Sequence, residues 1–186
     1  MGRTKTGLGR WLRPLVASGL GVAAAAGTGI AVTDAGSHWY FKLRKPSWQP
    51  PAMSFPIVWT ALYADIVTVS TAVLAELEDT GENRARAGFA GALTANLALN
   101  AAWPVLFFRA RRLDLAAVGA SLLAISSIDL TRRAGAAGAG KALALTPYAV
   151  WTVFAAVLSA TLAAENPQGA EELDPEPTVA EPAAEG

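Results

Sequence analysis

The segment FPIVWTALYADIVTVSTAVLA, from Phe55 to Ala75, contains one charged residue, Asp65, in 21 positions. A helix of about 20 mostly apolar residues is long enough to cross the hydrocarbon core of a bilayer. Lipid cannot hydrogen-bond to the backbone, so only helices and closed barrels span it. The segment lacks the strict apolar–polar alternation of a barrel strand. It is therefore predicted to be a transmembrane helix.

Four other stretches meet or approach the same criterion, and charged residues separate all five. The predicted helices cover about residues 14–33, 55–75, 87–108, 113–130 and 142–164. A signal peptide is the alternative for the first stretch, but an apolar core of about 20 residues exceeds the usual 7–15. We therefore predict an all-α integral membrane protein, a five-transmembrane-helix bundle. Residues 1–13 form a basic N-terminal segment, and residues 165–186, rich in Glu, Pro and Ala, a disordered acidic tail.

The composition excludes several classes of function. Hydrophobic residues make up 53% of the chain and charged residues only 16%, whereas globular proteins average about 25% charged residues. The 15 basic and 15 acidic residues balance, so no overall charge favours nucleic acid as a partner. Since the chain has no Cys and one His, we predict no disulfide, no thiolate metal site and no multi-histidine metal site.

Two arguments give opposite orientations in the membrane. Nine basic residues lie on the N-terminal side of the predicted bundle and six on the other side, so the positive-inside rule places the N-terminus in the cytoplasm. The family resemblance described below favours a cytoplasmic C-terminus instead.

The segment between the first two predicted helices is rich in aromatic, basic and proline residues. It reads WYFKLRKPSWQPP from Trp39 to Pro51. Prolines stiffen a loop and prevent helix formation, and Trp and Tyr favour the membrane interface. One interpretation is an interfacial loop held by its aromatic residues. The other is a stiff lid over a pocket among the helices, with cations that suit an acidic ligand.

Aromatic and amide side chains form stripes on three predicted helices. At about 100° per residue, the four members of the third-helix stripe lie within about 60° of one another. Amides are costly in hydrocarbon, so they face either a neighbouring helix, with interhelical hydrogen bonds, or a pocket. The stripes are Trp59 and Tyr63 on the second helix; Asn96, Asn100, Trp103 and Phe107 on the third; and Pro147, Trp151, Phe154 and Leu158, with Ala155 beside them, on the fifth.

These motifs resemble the TspO/MBR family, the tryptophan-rich sensory proteins of bacteria and the translocator proteins, or peripheral-type benzodiazepine receptors, of animals. The resemblance runs in order from Trp39 to Asn166. It is carried by Trp39-Tyr40, Leu43, Lys45-Pro46, Trp48, Pro50-Pro51, Val58-Trp59, Leu62-Tyr63, Leu97-Ala98-Leu99-Asn100, Trp103, Phe107-Phe108, Pro147-Tyr148, Trp151, Phe154-Ala155 and Asn166.

The resemblance implies a five-helix protein of the bacterial cell membrane that contacts lipid and binds a tetrapyrrole, protoporphyrin IX or haem, or a drug-like molecule, as a sensor or regulator. No obligatory cofactor is implied. Two alternatives are a light-dependent enzyme that degrades porphyrin through Trp59 and Trp151, and a porphyrin transporter. The ligand-binding residues that the resemblance and the stripes together imply are Trp39, Trp48, Trp59, Tyr63, Asn96, Asn100, Trp103, Phe107, Tyr148, Trp151, Phe154 and Ala155.

The resemblance also implies a homodimer, which small residues on two helices would allow by close backbone approach. The candidates are Gly19, Ala23 and Gly27 on the first helix and Gly88, Ala92 and Ala95 on the third.

The chain departs from the family pattern at several positions. Asn96 replaces a frequent Gln, Ser159 a frequent Asn, and Asp65 a usually apolar residue. We expect Asp129 to pair with Arg132 and Arg133 near the membrane interface. Asp65 is either a protonated or hydrogen-bonded structural residue, or acts at a subunit interface or in a proton step. His38 beside Trp39 is a weaker candidate for a haem ligand.

Overall fold

The structure, a computed structural model, describes residues 9–167. Six α-helices alternate with short connections in this range. The helices are α1 Gly9–Val32, α2 His38–Lys42, α3 Ser54–Asp79, α4 Asn83–Pro104, α5 Leu113–Ala134 and α6 Ala139–Glu165. A π-helical turn, Val105–Arg109, follows α4, and a 3₁₀ turn, Gly135–Ala137, follows α5.

Five of these helices, all except α2, are long and apolar enough to cross a membrane. The predicted fold class, an all-α integral membrane protein with five transmembrane helices, is confirmed. Each spanning helix except α5 begins before its predicted apolar stretch, and α3, α5 and α6 also end beyond theirs. The predicted third helix, 87–108, differs at its end, because α4 ends at Pro104 and the π-helical turn continues to Arg109. Helix α1 begins at Gly9, inside the predicted basic segment, and α6 ends at Glu165. Residues 1–8 of the basic segment and 168–186 of the acidic tail lie outside the described residues.

The spanning helices form a closed ring in the order α1, α3, α6, α5, α4, with α3 and α4 also in contact across it. The main core lies between all five spanning helices and is mostly aliphatic: Ile66, Val73 and Leu145 are fully buried there, together with the rings of Phe89 and Tyr148. A second cluster, around Trp39, Phe107 and Leu158, lies at one end of the ring.

The outer surface of the ring is apolar. Large side chains such as Leu20, Ile30 and Val150 are exposed along the helices, as a lipid-facing surface requires. Hydroxyl groups on this surface donate to the carbonyl four residues earlier in the helix, so these donors are paired within their own helix. Such bonds are formed by Thr28, Thr60, Thr68, Thr94, Ser121, Thr146 and Thr161.

The two ends of the ring differ in their charged contacts. At the end where α1 begins, Arg10 pairs with Asp79 of α3 at 2.8 Å. At the same end Asp129 pairs with Arg132 at 2.7 Å and with Arg133 at 2.5 Å, which confirms the expected pairing. The opposite end carries α2 with residues 33–53, the π-helical turn and the end of α6; we call it the loop end.

The π-helical turn begins directly after Pro104. In it the Ala110 N–H donates to the Val105 carbonyl, five residues back, at 2.8 Å. Such turns insert an extra residue into a helix and often occur at functional sites. Here the turn carries Phe107 and Phe108 and ends at Arg109, and Arg111, two residues later, has a φ of 52°, in the left-handed region. The turn therefore directs two aromatic rings toward the residues of α2.

Candidate ligand-binding site

The first loop contains one short helix, α2, that places Trp39 beneath it. Ser37 caps the N-terminus of this helix, and its Oγ accepts a hydrogen bond from the Tyr40 N–H at 3.3 Å. Trp39 is 1% exposed, and its ring meets that of Phe107 edge-on at 5.7 Å. The loop is therefore attached to the bundle by a buried indole, whereas Trp48, 47% exposed, lies at its outer edge.

Lys45 and Gln49 fold the rest of the loop over Tyr40. The Lys45 ammonium donates to the carbonyls of Tyr40, Phe41 and Leu43 and lies 4.5 Å from the centre of the Tyr40 ring. Gln49 Nε2 donates to the Tyr40 hydroxyl at 3.1 Å. Burial raises the pKa of Tyr40, so its phenol remains protonated at neutral pH. These contacts hold residues 40–49 as one compact unit.

Asn166 fastens this unit to the end of α6. Its Oδ1 accepts from the Arg44 N–H at 2.9 Å, and its Nδ2 donates to the carbonyls of Arg44 at 3.0 Å and Leu162 at 2.8 Å. One amide side chain thus satisfies both backbone groups of a loop residue 122 positions away. We call this contact the Asn166 clamp.

Below the loop, aromatic rings from four elements pack against one another. Trp103 stacks on Phe107 at 5.1 Å, and Phe108 lies 5.8 Å from Tyr40. On the α6 side Trp151 contacts Phe154 at 5.1 Å. The ring contacts that complete this aromatic cluster are Trp48–Phe154, Phe55–Trp151, Trp59–Tyr63 and Trp59–Tyr148, at 5.9, 6.0, 5.4 and 6.4 Å.

A chain of hydrogen bonds runs beneath the aromatic cluster and joins four helices. The Tyr63 hydroxyl donates to Asn100 Oδ1 at 2.8 Å, and Asn100 Nδ2 donates to the Tyr148 hydroxyl at 3.3 Å. Tyr148 in turn donates to Asn96 Oδ1 at 2.7 Å, and Asn96 Nδ2 donates to Ser127 Oγ at 3.0 Å. The interhelical hydrogen bonds that the sequence offered as one interpretation of the two amides are therefore present, and we call this hydrogen-bonded chain the polar floor of the cluster.

Three indole N–H groups at this site are buried and have no acceptor within residues 9–167. They belong to Trp39, Trp103 and Trp151. A buried donor without a partner costs free energy, and three in one cluster are unusual. An acceptor group that entered the cluster would satisfy them. The site can therefore offer flat apolar rings together with several hydrogen-bond donors.

The structure brings most of the proposed site residues into the aromatic cluster or its polar floor. Ala155 is half-buried on α6 among them. Sequence reasoning left out Tyr40, Gln49, Phe55, Phe108 and Ser127. Tyr40 and Gln49 lie within the aromatic loop that the sequence singled out. Phe108 is part of a motif that carries the family resemblance, although it was not among the predicted site residues. Phe55 and Ser127 carry no comparable signal, because a ring or hydroxyl on a spanning helix faces lipid as often as protein.

Two candidate residues lie apart from the cluster contacts. Asp65 is half-buried on α3, and its Oδ2 is buried with no hydrogen-bond partner within the described residues. His38 is the first residue of α2 and is exposed. In residues 9–167 no three His, Cys, Asp or Glu side chains group as metal ligands. A separate cavity of about 170 Å³ lies between α1, α3 and α4, against Ala17, Gly21 and Leu97.

Comparison with known proteins identifies the family. Residues 16–164 match the TspO/MBR family model. The translocator protein of Sus scrofa is 35% identical over 138 residues, which cover 69% of this chain and 75% of that protein. The tryptophan-rich protein TspO of Chlorobaculum tepidum is 36% identical over 152 residues, 80% of this chain and 93% of that protein. This integral membrane protein therefore belongs to the TspO/MBR family.

Proposed function

We propose that this protein binds a tetrapyrrole, such as protoporphyrin IX or haem, in the aromatic cluster and acts as a membrane sensor or regulator. The observation that carries the proposal is the trio of buried, unpaired indole N–H groups of Trp39, Trp103 and Trp151 among stacked rings. Membership of the TspO/MBR family supports the proposal, because the resemblance to this family implies a tetrapyrrole ligand.

The chemistry of a porphyrin suits this cluster. Its two faces are flat and apolar and can stack on indole and phenyl rings. Its propionate edge is anionic and can accept hydrogen bonds from indole N–H groups. Cations lie at the same end: the Arg111 guanidinium is 5.5 Å from the centre of the Trp39 ring, and Lys45 lies over Tyr40. A ligand with its propionates toward the loop end would meet both kinds of group.

A sensor role follows from the packing of the cluster. The rings of Trp39, Phe107 and Trp103 already contact one another, so a macrocycle can enter only if the loop and its rings move apart. Ligand occupancy would then change the position of the loop at the membrane surface. A ligand shifts a conformational equilibrium by its differential affinity for the two states. The loop is thus the element through which binding would be reported to a partner.

Light-dependent degradation of the porphyrin is a second candidate. The indole of Trp59 lies 6.4 Å from the Tyr148 ring, and Trp151 lies one helical turn from Tyr148 on α6. Both easily oxidised rings would therefore border a macrocycle bound in the cluster. Illumination of the complex distinguishes the candidates: a degrading enzyme loses porphyrin absorption and forms a new product, whereas a sensor retains the bound pigment.

A titration in detergent tests the proposed function. Protoporphyrin IX is added to the full chain, and binding is followed by quenching of Trp fluorescence. We expect saturation at one site per chain and weaker binding of the dimethyl ester, which lacks the carboxylates. Trp11→Phe, which changes an exposed indole on α1, is the control and should bind normally. If protoporphyrin IX partitions into empty micelles as strongly as into protein-containing micelles, the proposal is refuted.

A further inference from the structure

The segments at the loop end carry six cationic side chains, here called the cationic rim. Within residues 9–167 the acids at this end are Asp34, Asp114 and Glu165, and Asp114 already pairs with Arg112 at 2.9 Å. The cations therefore outnumber the acids at this end of the described chain. The rim consists of Lys42, Arg44, Lys45, Arg109, Arg111 and Arg112.

The end of α6 lies directly on this rim. The Asn166 clamp joins the residue after α6 to the backbone of Arg44, a rim residue, through two hydrogen bonds of 2.9 and 3.0 Å. The described chain therefore ends, at residue 167, directly after a residue that is hydrogen-bonded to the rim.

The sequence of residues 168–186 is complementary to the rim in charge. It contains six acidic residues and no basic ones: Glu171, Glu172, Asp174, Glu176, Glu181 and Glu185. Nineteen residues span at most about 3.3–3.6 Å each, so every rim position is within reach. The basic residues at the opposite end lie beyond a hydrocarbon core of about 30 Å, which carboxylates do not enter readily. Among residues 9–167 the rim is thus the cationic surface nearest to the point where this segment is attached.

We propose that residues 168–186 bind the cationic rim of the same chain and compete there with anionic molecules that approach the aromatic cluster. Single exposed ion pairs are weak and are screened by salt. The covalent link converts their association into an intramolecular step with a high effective concentration. The segment then acts as a tethered anionic competitor, most effective at low ionic strength. The competition, though not the binding to the rim, rests on the proposed function.

Zero-length cross-linking tests the binding. A water-soluble carbodiimide joins carboxylates to amines. In the described chain Lys42 and Lys45 are on the rim, and Lys141, at the opposite end, serves as the control site. We expect cross-linked peptides that join residues 168–186 to Lys42 or Lys45 in the full chain at low salt, and their loss at high salt. Lys42→Arg keeps the charge and should remove only the Lys42 products. Cross-links to Lys141 at equal frequency would overturn the proposal.

Two further cross-linking experiments test whether a second copy of the chain or lipid headgroups occupy the rim instead. Mixing isotopically light and heavy protein separates products within one chain from products between chains, and mostly mixed products would assign the segment to a second copy instead. In nanodiscs of zwitterionic lipid the cross-links should persist. If they form there but disappear in nanodiscs of anionic lipid, lipid headgroups occupy the rim in such membranes, and the proposal fails for them.

A charge-neutral variant tests the competition. All six acids are changed to their amides, from Glu171→Gln to Glu185→Gln with Asp174→Asn. We expect protoporphyrin IX to bind at least threefold more tightly at low salt than to the wild type, with no difference at high salt and none for the dimethyl ester. Equal affinities at low salt would overturn the competition. If the wild type binds no porphyrin, the proposed function fails, while the cross-linking result still decides whether the segment binds the rim.

Discussion

At the scale of single residues, substitutions of Trp59 and Trp151 distinguish porphyrin binding from light-driven porphyrin degradation. Trp→Phe keeps much of the ring area but removes the N–H and the easily oxidised indole. Stacking contributes about 0.5–1.5 kcal/mol beyond area burial, so binding of protoporphyrin IX should weaken by about tenfold or less. Light-driven loss of porphyrin, where the wild type shows it, should fall much further. Absorbance before and after illumination measures both.

Trp11→Phe is the matched control for these variants, because Trp11 is 38% exposed on α1 and contacts Arg10 rather than the cluster. Unchanged binding and unchanged photochemistry in both Trp59→Phe and Trp151→Phe would show that the aromatic cluster is not the site. Stable porphyrin in the illuminated wild type would remove the enzyme candidate and leave the sensor candidate in place.

Tyr148 is the residue on which the polar floor depends. Its hydroxyl donates to Asn96 and accepts from Asn100, so Tyr148→Phe leaves a buried amide oxygen and a buried N–H without those partners. We expect the free energy of unfolding to fall by about 1–2 kcal/mol. Tyr63→Phe, which removes a single bond to Asn100, should cost less. A denaturant titration in mixed micelles measures both, and equal or reversed effects would contradict a central role for Tyr148.

At the scale of elements, the Asn166 clamp holds the loop in place. Asn166→Ala removes three hydrogen bonds between α6 and the loop or its own last turn. We expect faster amide hydrogen exchange across residues 39–51 and faster dissociation of protoporphyrin IX. Thr161→Val on the same helix is the control, since that hydroxyl bonds only within α6.

The same exchange measurement tests the loop as a lid. In the wild type, residues 39–51 should be protected, and protection should rise when protoporphyrin IX is bound, because the prolines and the buried Trp39 hold the loop on the cluster. A loop that exchanges freely with and without ligand would contradict both the lid and the clamp.

At the scale of the whole molecule, the small-residue faces of α1 and α4 differ in how much space they leave for a second copy of the chain. A side chain at Gly27 would meet nothing within 4 Å, whereas one at Gly88 would lie 3.1 Å from Arg133. The proposed α1 stripe is therefore open, and part of the α4 stripe packs inside the protomer. If the homodimer forms through α1, Gly27→Leu should yield monomers in native mass spectrometry.

Gly91→Leu on α4 is the matched variant for this dimer experiment, since Gly91 also has open space beyond it. If Gly91→Leu abolishes the dimer and Gly27→Leu does not, the dimer interface lies on α4 rather than on α1. A wild type that is monomeric in every mild detergent would refute the homodimer.

The transmembrane architecture could be predicted from the sequence because its cause is local. Apolar length along one segment determines whether that segment can satisfy its backbone in lipid, so five helices follow without knowledge of their neighbours. The Asp129 pairs with Arg132 and Arg133 are also local, since residues three and four apart share a helix face. The stripe of Asn96, Asn100 and Trp103 follows from the same periodicity.

Tertiary structure alone decided which faces meet. Periodicity shows that Asn100 has an inward face, but not that its partners are Tyr63 on α3 and Tyr148 on α6. Likewise, nothing near Asn166 in the sequence indicates a bond to Arg44, 122 residues earlier. Such contacts depend on the ring order of the helices, which is set by the packing of all five at once. For the same reason the unpaired indoles of Trp39, Trp103 and Trp151 become one site only in the folded bundle.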